Sequence, residues 1–261
     1  MNQPTHQADF PDPAVALVQG ASRGIGLALT ASLAADRRFG RILACCRNPN
    51  EAKALTELAA ANSGRIVLHP LDITRERSVV DLSAMLDDNE LRPSLVLNVS
   101  GLLHDGDEVQ PEKRLEDLSL EQLERVFAVN ALGPAILLRE LLPRMAKNDK
   151  AVLAALSARV GSIGDNRLGG WYAYRSSKAA LNQLLRTAAI EARRRFRNVI
   201  VAALHPGTTD TALSRPFQGN VPAGKLFSTE FVAERLLDVI GGLKPDESGN
   251  FYAWDGSQIE W

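Results

Sequence analysis

Near its start the chain reads Ala14-Val15-Ala16-Leu17-Val18-Gln19-Gly20-Ala21-Ser22-Arg23-Gly24-Ile25-Gly26, an apolar run followed by a loop with three glycines. The apolar run has the composition of a strand that is buried on both faces. Gly20 allows an unusual turn at the strand exit, Gly24 lets the backbone approach a phosphate, and Gly26 permits close packing at a helix start. A strand, a glycine loop and a helix in this order predict a dinucleotide-binding unit. The expected loop contacts are Gly20, Ser22, Arg23, Gly24, Ile25 and Gly26.

Short apolar runs alternate with helical patterns along the rest of the chain. The predicted strands are Ala14–Val18, Ile42–Cys46, Ile66–Leu68, Leu95–Val99, Ala151–Leu156, Val199–Leu204 and Phe251–Ala253, and the predicted helices lie near 24–37, 50–61, 75–88, 119–147, 171–195 and 229–241. This alternation predicts one Rossmann-type, doubly wound α/β domain over residues 14–261, with a seven-stranded parallel sheet and helices on both faces. Residues 1–13 are expected to be an N-terminal tail. Ligands should bind beyond the carboxyl ends of the strands.

Composition narrows the function classes. Thirty basic and thirty-one acidic residues give a net charge of −1, so we expect no nucleic-acid partner and no membrane attraction. Cys45 and Cys46 are adjacent in an apolar strand, which disfavours a disulfide framework and indicates a reducing compartment. The polar start lacks the pattern of a signal peptide, and we expect no apolar run that approaches the roughly 18–20 residues of a membrane span. We therefore expect a cytoplasmic protein. We expect no metal site, because His104 and His205 lack partners at ligand spacing and the two cysteines have no second pair.

Tyr174 and Lys178 form the pair with the clearest chemical meaning. Residues four apart on a helix lie on one face about 5–6 Å apart, so the lysine charge can act on the tyrosine. A nearby cation favours phenolate by roughly 1–3 pKa units, which would make Tyr174 an acid–base group. An exposed helical pair would have the same spacing. The glycine loop earlier in the chain favours the catalytic interpretation.

Two arginines indicate which dinucleotide binds. Arg23 lies in the glycine loop, and Arg47 directly follows the second predicted strand, where the adenosine ribose of a dinucleotide would lie. An acidic residue there would accept a hydrogen bond from a free 2′-hydroxyl, whereas arginine binds a 2′-phosphate. We therefore expect NADPH/NADP+, with NADH less favoured; the alternative is that both arginines are simply exposed.

The ordered motifs resemble those of the short-chain dehydrogenase/reductase family over residues 14–261. They are the glycine loop, Asp72 after the third strand, Asn98-Val99-Ser100-Gly101 after the fourth, Asn130, Tyr174 with Lys178, and Pro206-Gly207. The stretches Gly161–Asn166 and Gly169–Tyr174 and the ending Trp254-Asp255-Gly256 most resemble its C-factor/sniffer-like carbonyl reductase branch. The resemblance implies an NADPH-dependent oxidoreductase that reduces a small aldehyde, ketone or quinone.

The resemblance also implies roles for individual residues. Tyr174 would protonate the carbonyl oxygen, while Lys178 would lower the tyrosine pKa and hold the nicotinamide ribose. Asp72 would contact the adenine, and Asn98 would brace the floor of the site, although it could also satisfy strand ends. The further cofactor contacts would be Ile73, Ser100, Gly101, Pro206, Gly207, Thr208 and Thr211.

The resemblance also implies that Asn130 carries a water that links Lys178 to solvent. Pro134 follows four residues later and has no N–H to donate to the Asn130 carbonyl, so that carbonyl should be free. The alternative is that Pro134 only kinks the helix for packing.

One position departs from the family pattern. The family places a serine three residues before the glycine after the fifth strand, where this chain has Ala158 before Gly161. Ser157 is one residue earlier and would face the opposite side of a regular strand, whereas Ser162 lies in the next loop. Three alternatives stay open: a bulge turns Ser157 inward, Ser162 supplies the hydroxyl, or the chain uses none. Ser162 is favoured.

The segment 208–228, rich in Pro and Gly from Ala212 onward, has the composition of a mobile flap over the substrate. Trp171, Phe217 and His104 could line a partly apolar pocket there, although Trp171 could equally belong to the core. Two other functions remain as alternatives: a dinucleotide-binding signalling or interaction protein with little turnover, and an epimerase or dehydratase, for which few residues follow Pro206. A homodimer or homotetramer through helices 119–147 and 171–195 is expected.

Overall fold

The computed structural model describes residues 10–62, 64–106 and 108–261, so residues 1–9 of the predicted tail lie outside the described residues. Nine strands are described: β1 (Ala14–Gln19), β2 (Phe39–Cys46), β3 (Ile66–Pro70), β4 (Leu95–Asn98), β5 (Ala151–Leu156), β6 (Val199–His205), β7 (Thr208–Thr209), β8 (Leu226–Phe227) and β9 (Phe251–Ala253). The α-helices of the described chain are α1 (Gly24–Ala35), α2 (Lys53–Ala61), α3 (Glu76–Asp88), α4 (Leu120–Phe127), α5 (Gly133–Leu141), α6 (Tyr172–Arg195) and α7 (Thr229–Gly242).

Seven of these strands form one parallel sheet in the order β3-β2-β1-β4-β5-β6-β9, which confirms the predicted fold class. The order runs outward in both directions from β1 and β4, whose carboxyl ends therefore border the cleft of a doubly wound sheet. Successive residues of β1 pack into different layers. Leu17 joins a cluster with Leu82 and Leu181 from α3 and α6, whereas Val18 joins one with Leu29 from α1 and Leu236 from α7.

Burial on both faces explains why the strands read as continuous apolar runs. Leu17 and Leu43 are fully buried, and each such side chain contributes roughly 1.5–3 kcal/mol by leaving water. The predicted strands all exist; two have the predicted bounds and the other five differ by one to three residues at their ends. The prediction of strands buried on both faces therefore agrees with the two core layers of the structure.

The predicted helix 119–147 is interrupted. After α4 the chain forms a π-helical turn over Ala128–Leu132, continues as α5 and ends in a 3₁₀ turn over Leu142–Arg144. Pro134 lies in the first turn of α5 and cannot donate an i→i−4 bond to Asn130, so a regular ladder cannot pass this point. The widened turn lets Gly133 approach the backbone oxygen of Ile73 so closely that a Cβ would overlap it.

This helical stretch also corrects one expectation. By length and composition alone, Leu120–Arg144 could cross a membrane, although no run of that kind was expected. Half of its most apolar window is buried, and its parts pack on α3 and α6. The core helix of a soluble protein passes the same test, and its burial in the fold fits that interpretation.

The predicted flap begins and ends at a second, small sheet. Thr208 and Thr209 of β7 pair in parallel with Leu226 and Phe227 of β8, and the Asp210 N–H donates to the Phe227 carbonyl. Between these strands the chain forms a 3₁₀ turn over Arg215–Asn220. The two ends of the flap are therefore tied together beside the carboxyl end of β6.

Candidate active site

Tyr174 and Lys178 lie in the first two turns of α6 and are both buried. The Lys178 Nζ lies 5.8 Å from the centroid of the Tyr174 ring and donates to the Leu156 carbonyl oxygen at 2.8 Å. In the part of the chain that the structure describes, the Tyr174 hydroxyl has no hydrogen-bond partner. Among the described residues, the site thus holds a phenol without a hydrogen-bond partner, beside a lysine that is hydrogen-bonded to the last residue of β5.

Burial shifts both groups away from their charged forms. It raises the pKa of Tyr174 to about 12 and lowers the pKa of Lys178 to about 8. The direction at Tyr174 is opposite to the expected one, because burial removes the hydration that the charged phenolate needs. Tyr174 is therefore a protonated phenol at neutral pH, whereas Lys178 changes its charge just above it.

Asn130 joins the loop after β4 to helix α6. Its Oδ1 accepts from the Leu102 N–H at 2.7 Å, and its Nδ2 donates to the Leu102 carbonyl at 2.8 Å and to the Ser177 Oγ at 3.0 Å. Ser177 in turn donates to the Tyr174 carbonyl at 2.9 Å. The side chain of Asn130 is fully buried. These bonds hold the Leu102 loop in one position relative to Tyr174.

Gly101 lies where these groups converge. A Cβ on this residue would lie 3.6 Å from the Lys178 Nζ, 3.7 Å from the Asn130 Oδ1 and 3.8 Å from Leu213 of the flap. The structure thus brings Gly101, Asn130 and Lys178 together, as the sequence predicts. Leu213 was not predicted, because nothing in the sequence indicates how far the flap folds back.

The two candidate serines are in different states. No irregularity interrupts the pairing of β5 with β6, and Ser157 faces α6, where its hydroxyl donates to the Asn182 Oδ1 at 2.6 Å. The proposed bulge is therefore absent. Ser162 Oγ accepts from the Asp165 N–H at 3.1 Å, and its own proton has no acceptor within the described residues. Ser162 is the serine whose proton remains available.

The glycine loop has the backbone conformation that a phosphate cradle needs. Gly20 and Gly24 have φ values of +90° and +55°, and a Cβ on Gly20 would lie 2.9 Å from the Ser100 nitrogen. Ser100 donates from its backbone N–H and its hydroxyl to the Gln19 Oε1, at 3.3 and 2.8 Å. Gln19 was missed by the sequence reasoning, although a buried amide at a strand end is a signal that could have indicated it.

Arg23 and Arg47 are both exposed at the carboxyl ends of β1 and β2. Neither guanidinium has a hydrogen-bond or ion-pair partner among the described residues. A free cation at each of these strand ends fits a phosphate-bearing dinucleotide, since a site already paired with a carboxylate could not accept one.

Two further residues predicted to contact the cofactor differ in whether their side chains already make hydrogen bonds. Asp72 Oδ1 accepts from the N–H and hydroxyl of Thr74, at 3.0 and 2.7 Å. Both polar side-chain atoms of Asn98 are buried without a partner in the described chain. Asn98 therefore does not satisfy strand ends here, and its orphaned amide leaves hydrogen-bonding capacity for a ligand or water.

The turn after β6 reaches the glycine loop. The Thr211 methyl group lies 3.3 Å from the place of a Cβ on Gly24. Gly207 has a φ of +74° and packs so closely against Phe227 and Trp254 that a Cβ would lie 2.9 to 3.0 Å from their rings. Thr208 is exposed beside it. Of the predicted residues in Pro206–Thr211, Thr211 therefore lies against the glycine loop, and Gly207 packs against the two rings.

Aromatic side chains meet where the flap covers the start of α6. The ring centroids of Trp171 and Phe217 are 4.9 Å apart, and those of Trp171 and Tyr174 are 6.3 Å apart. His104 approaches Phe217 at 5.7 Å, and its Nε2 lies 3.2 Å from the Ala212 carbonyl oxygen. The structure therefore places an apolar wall next to the phenol of Tyr174.

Comparison with known proteins identifies the family. The family described as short chain dehydrogenase matches residues 14–221. The chain belongs to the short-chain dehydrogenase family. It is 32% identical over 246 residues to 1-hydroxy-2-glutathionyl-2-methyl-3-butene dehydrogenase of Rhodococcus sp., covering 94% of this chain and 98% of that one. It is 33% identical to C-signal of Myxococcus xanthus over 147 residues, which are 56% of this chain and 83% of the relative.

Two solved carbonyl reductases share the fold. NADPH-bound carbonyl reductase from chicken fatty liver has a TM-score of 0.86 and 26% identity, with 99% of this chain and 97% of that chain covered. Carbonyl reductase Sniffer of D. melanogaster has a TM-score of 0.82 at 22% identity, covering 96% of this chain and 100% of that chain, a likeness of fold. These findings confirm the predicted family and its C-factor/sniffer-like branch. Within the described residues, no cluster of three or more potential metal ligands occurs.

Proposed function

We propose that the protein is an NADPH-dependent reductase of small aldehydes, ketones or quinones, with Tyr174 as the proton donor. The observation that carries the proposal is the partnerless phenol of Tyr174 beside the buried ammonium of Lys178, next to Gly101 at the carboxyl end of β4. A bound nicotinamide would supply the hydride. The chain's own part of the chemistry is to orient the carbonyl group and to give it a proton.

The protonation states suit the reductive direction. With a pKa of about 12, Tyr174 keeps its proton until the carbonyl oxygen gains negative charge. The Lys178 ammonium then stabilises the phenolate that forms, because the charge lies close by in a buried environment. Tyr174 would then be reprotonated through Lys178 and a water bound to the Asn130 carbonyl. Pro134 leaves that carbonyl available because it has no N–H to donate to it.

The cofactor contacts proposed are those that the sequence predicts, and they fit what the cleft offers. Gly20, Ser22, Gly24, Ile25 and Gly26 would surround the diphosphate, while Arg23 and Arg47 would bind the 2′-phosphate. Asp72 and Ile73 would contact the adenine, Asn98, Ser100 and Gly101 would line the cleft, and Pro206, Gly207, Thr208 and Thr211 would hold the carboxamide. The two unpaired guanidiniums and the NADPH-bound avian reductase support NADPH over NADH.

Ser162 is the proposed second donor to the carbonyl oxygen. Its hydroxyl donates no hydrogen bond within the described residues, whereas the hydroxyl of Ser157 donates to the Asn182 Oδ1. Trp171, His104 and the flap residue Phe217 would cover the apolar part of the substrate. We further propose that the protein is cytoplasmic and that it forms a homodimer or homotetramer. The exposed apolar side chains of Leu120, Leu132, Tyr172 and Ile190, between α4 and α6, support the assembly.

Consumption of NADPH over a panel of aldehydes, ketones and quinones, with identification of the products, tests the proposal. The expected products are the corresponding alcohols and hydroquinones, formed faster with NADPH than with NADH. A second candidate is a dinucleotide-binding signalling protein with little turnover, which the alanine at position 158 favours. Tight NADPH binding without any alcohol or hydroquinone would support that candidate and reject the first.

A further inference from the structure

The turn that leads into α6 has a left-handed backbone conformation that residues other than glycine rarely adopt. Gly169, Gly170 and Trp171 have φ values of +64°, +66° and +53°. For Trp171 this left-handed conformation is unfavourable, because its Cβ crowds the backbone. A residue held in this way at the start of the catalytic helix needs contacts that fix it.

Glu112 supplies these contacts from a loop far away in sequence. Its carbonyl oxygen accepts from the Trp171 N–H at 2.6 Å, and its Oε2 accepts from the Ala173 N–H at 3.2 Å. Helix α6 has no capping side chain at Trp171 and no acidic residue in its own first turn. The Glu112 carboxylate therefore caps the first turn in place of a local residue, where a negative charge is also favoured.

The Glu112 side chain makes no other hydrogen bond or ion pair in the described part of the chain. It is only 3% exposed, its Oε1 has no hydrogen-bond partner among the described residues, and no arginine or lysine pairs with it there. Burying a carboxylate without a cation is costly, so its retention calls for a compensating role. Arg175 fixes the same turn from the other side by donating to the carbonyls of Gly169 and Gly170.

We propose that Glu112 is a positioning residue that holds Trp171 in its left-handed conformation and so forms the aromatic wall of the substrate pocket. The proposal rests on the proposed carbonyl reduction, in which Trp171 faces the flap residue Phe217 and the phenol of Tyr174. In this proposal Glu112 acts without contacting the substrate or the cofactor. Its effect reaches the reaction through the Trp171 ring.

A double-mutant cycle separates this role from a general structural one. Glu112→Ala should raise KM for benzaldehyde about fivefold to tenfold, the size of a lost helix cap, with a much smaller change for propanal and for NADPH binding. In a Trp171→Ala background the same substitution should have almost no effect on either aldehyde. Glu112→Gln, which keeps an acceptor for the Ala173 N–H, should restore most of the benzaldehyde KM. Glu116→Ala removes an exposed carboxylate from the same loop and should behave like wild type.

A readout without turnover keeps this inference separate from the proposed function. In a Trp254→Phe, Trp261→Phe background, Trp171 is the remaining tryptophan, and Glu112→Ala should red-shift its fluorescence and increase quenching by acrylamide, whereas Glu116→Ala should not. If wild type reduces no carbonyl compound but Glu112→Ala still shows this fluorescence change, the proposed reduction is rejected and the positioning role of Glu112 is supported. An unchanged Trp171 spectrum, or equal losses for both aldehydes in both backgrounds, would overturn it.

Discussion

Lys178 places its Nζ 5.8 Å from the centre of the Tyr174 ring and anchors the same nitrogen on the Leu156 carbonyl at 2.8 Å. Burial separates the two titrations, with a pKa of about 12 for Tyr174 and about 8 for Lys178. Tyr174 therefore keeps its proton throughout the neutral range. The group that changes charge near working pH is Lys178.

This assignment predicts the pH dependence of reduction. The kcat/KM should be level below the Lys178 pKa of about 8 and should fall above it, because neutral Lys178 no longer stabilises the phenolate. In Lys178→Arg the rate should be lower, and the alkaline limb should be absent, since arginine stays charged. Circular dichroism at each pH controls for unfolding. A wild-type profile that stays level to pH of about 10 would contradict the role of Lys178.

His205 predicts how stability depends on acid. Desolvation, with a smaller contribution from Arg159, lowers the pKa of His205 from 6.5 to about 4. The unfolded chain thus binds a proton at a higher pH than the folded one, so stability is fully present above pH 6.5 and is lost as the pH falls towards 4. Between pH 7.5 and 5, wild type should lose roughly 2 kcal/mol more than His205→Asn in urea unfolding. Equal losses in the two proteins would refute this account.

Arg47 should determine the choice of cofactor. Arg47→Asp removes a charged hydrogen bond worth roughly 1.5–3 kcal/mol, so the preference for NADPH over NADH in kcat/KM should fall by about 10- to 100-fold. Arg41→Asp is the matched control, because Arg41 is an exposed arginine of β2, the strand that Arg47 follows, and the buried residues 42–46 separate it from Arg47. Equal use of both cofactors by wild type would be incompatible with the proposed phosphate site.

The two serines should differ when each is replaced by alanine. Ser162→Ala should lower kcat/KM by roughly 10²-fold, because it removes a donor to the developing oxyanion. Ser157→Ala should lower stability by about 1 kcal/mol through the lost bond to Asn182, with little change in kcat/KM. Near-wild-type activity in both variants would show that the reaction needs neither hydroxyl.

The sequence was sufficient wherever the determinants are local. Apolar runs such as Leu17–Val18 predict strands, and the spacing of Tyr174 and Lys178 predicts one helix face. It could also indicate a break near Asn130, because Pro134 lacks an N–H. It could not reveal Glu112, since the bond to Ala173 joins residues 61 apart through loop geometry. The direction of the Tyr174 pKa was also missed, because it depends on how deeply the fold buries the ring.

Loop placement was the second limit. The packing of Phe217 on Trp171 depends on a flap whose ends are paired through β7 and β8, two strands too short to be predicted. The same holds for Ser162, whose hydroxyl state follows from its bond to the Asp165 N–H. Such contacts arise from turns whose geometry no residue pattern specifies.

The central claim is that Tyr174 donates the proton, and comparing wild type with Tyr174→Phe tests it most directly. The measurement is single-turnover formation of the alcohol from an aldehyde with saturating NADPH, beside the Kd for NADPH. The account predicts that Tyr174→Phe retains NADPH binding within about threefold and loses roughly 10²- to 10⁴-fold in rate. Alcohol formation by Tyr174→Phe at the wild-type rate, with normal NADPH binding, would contradict it.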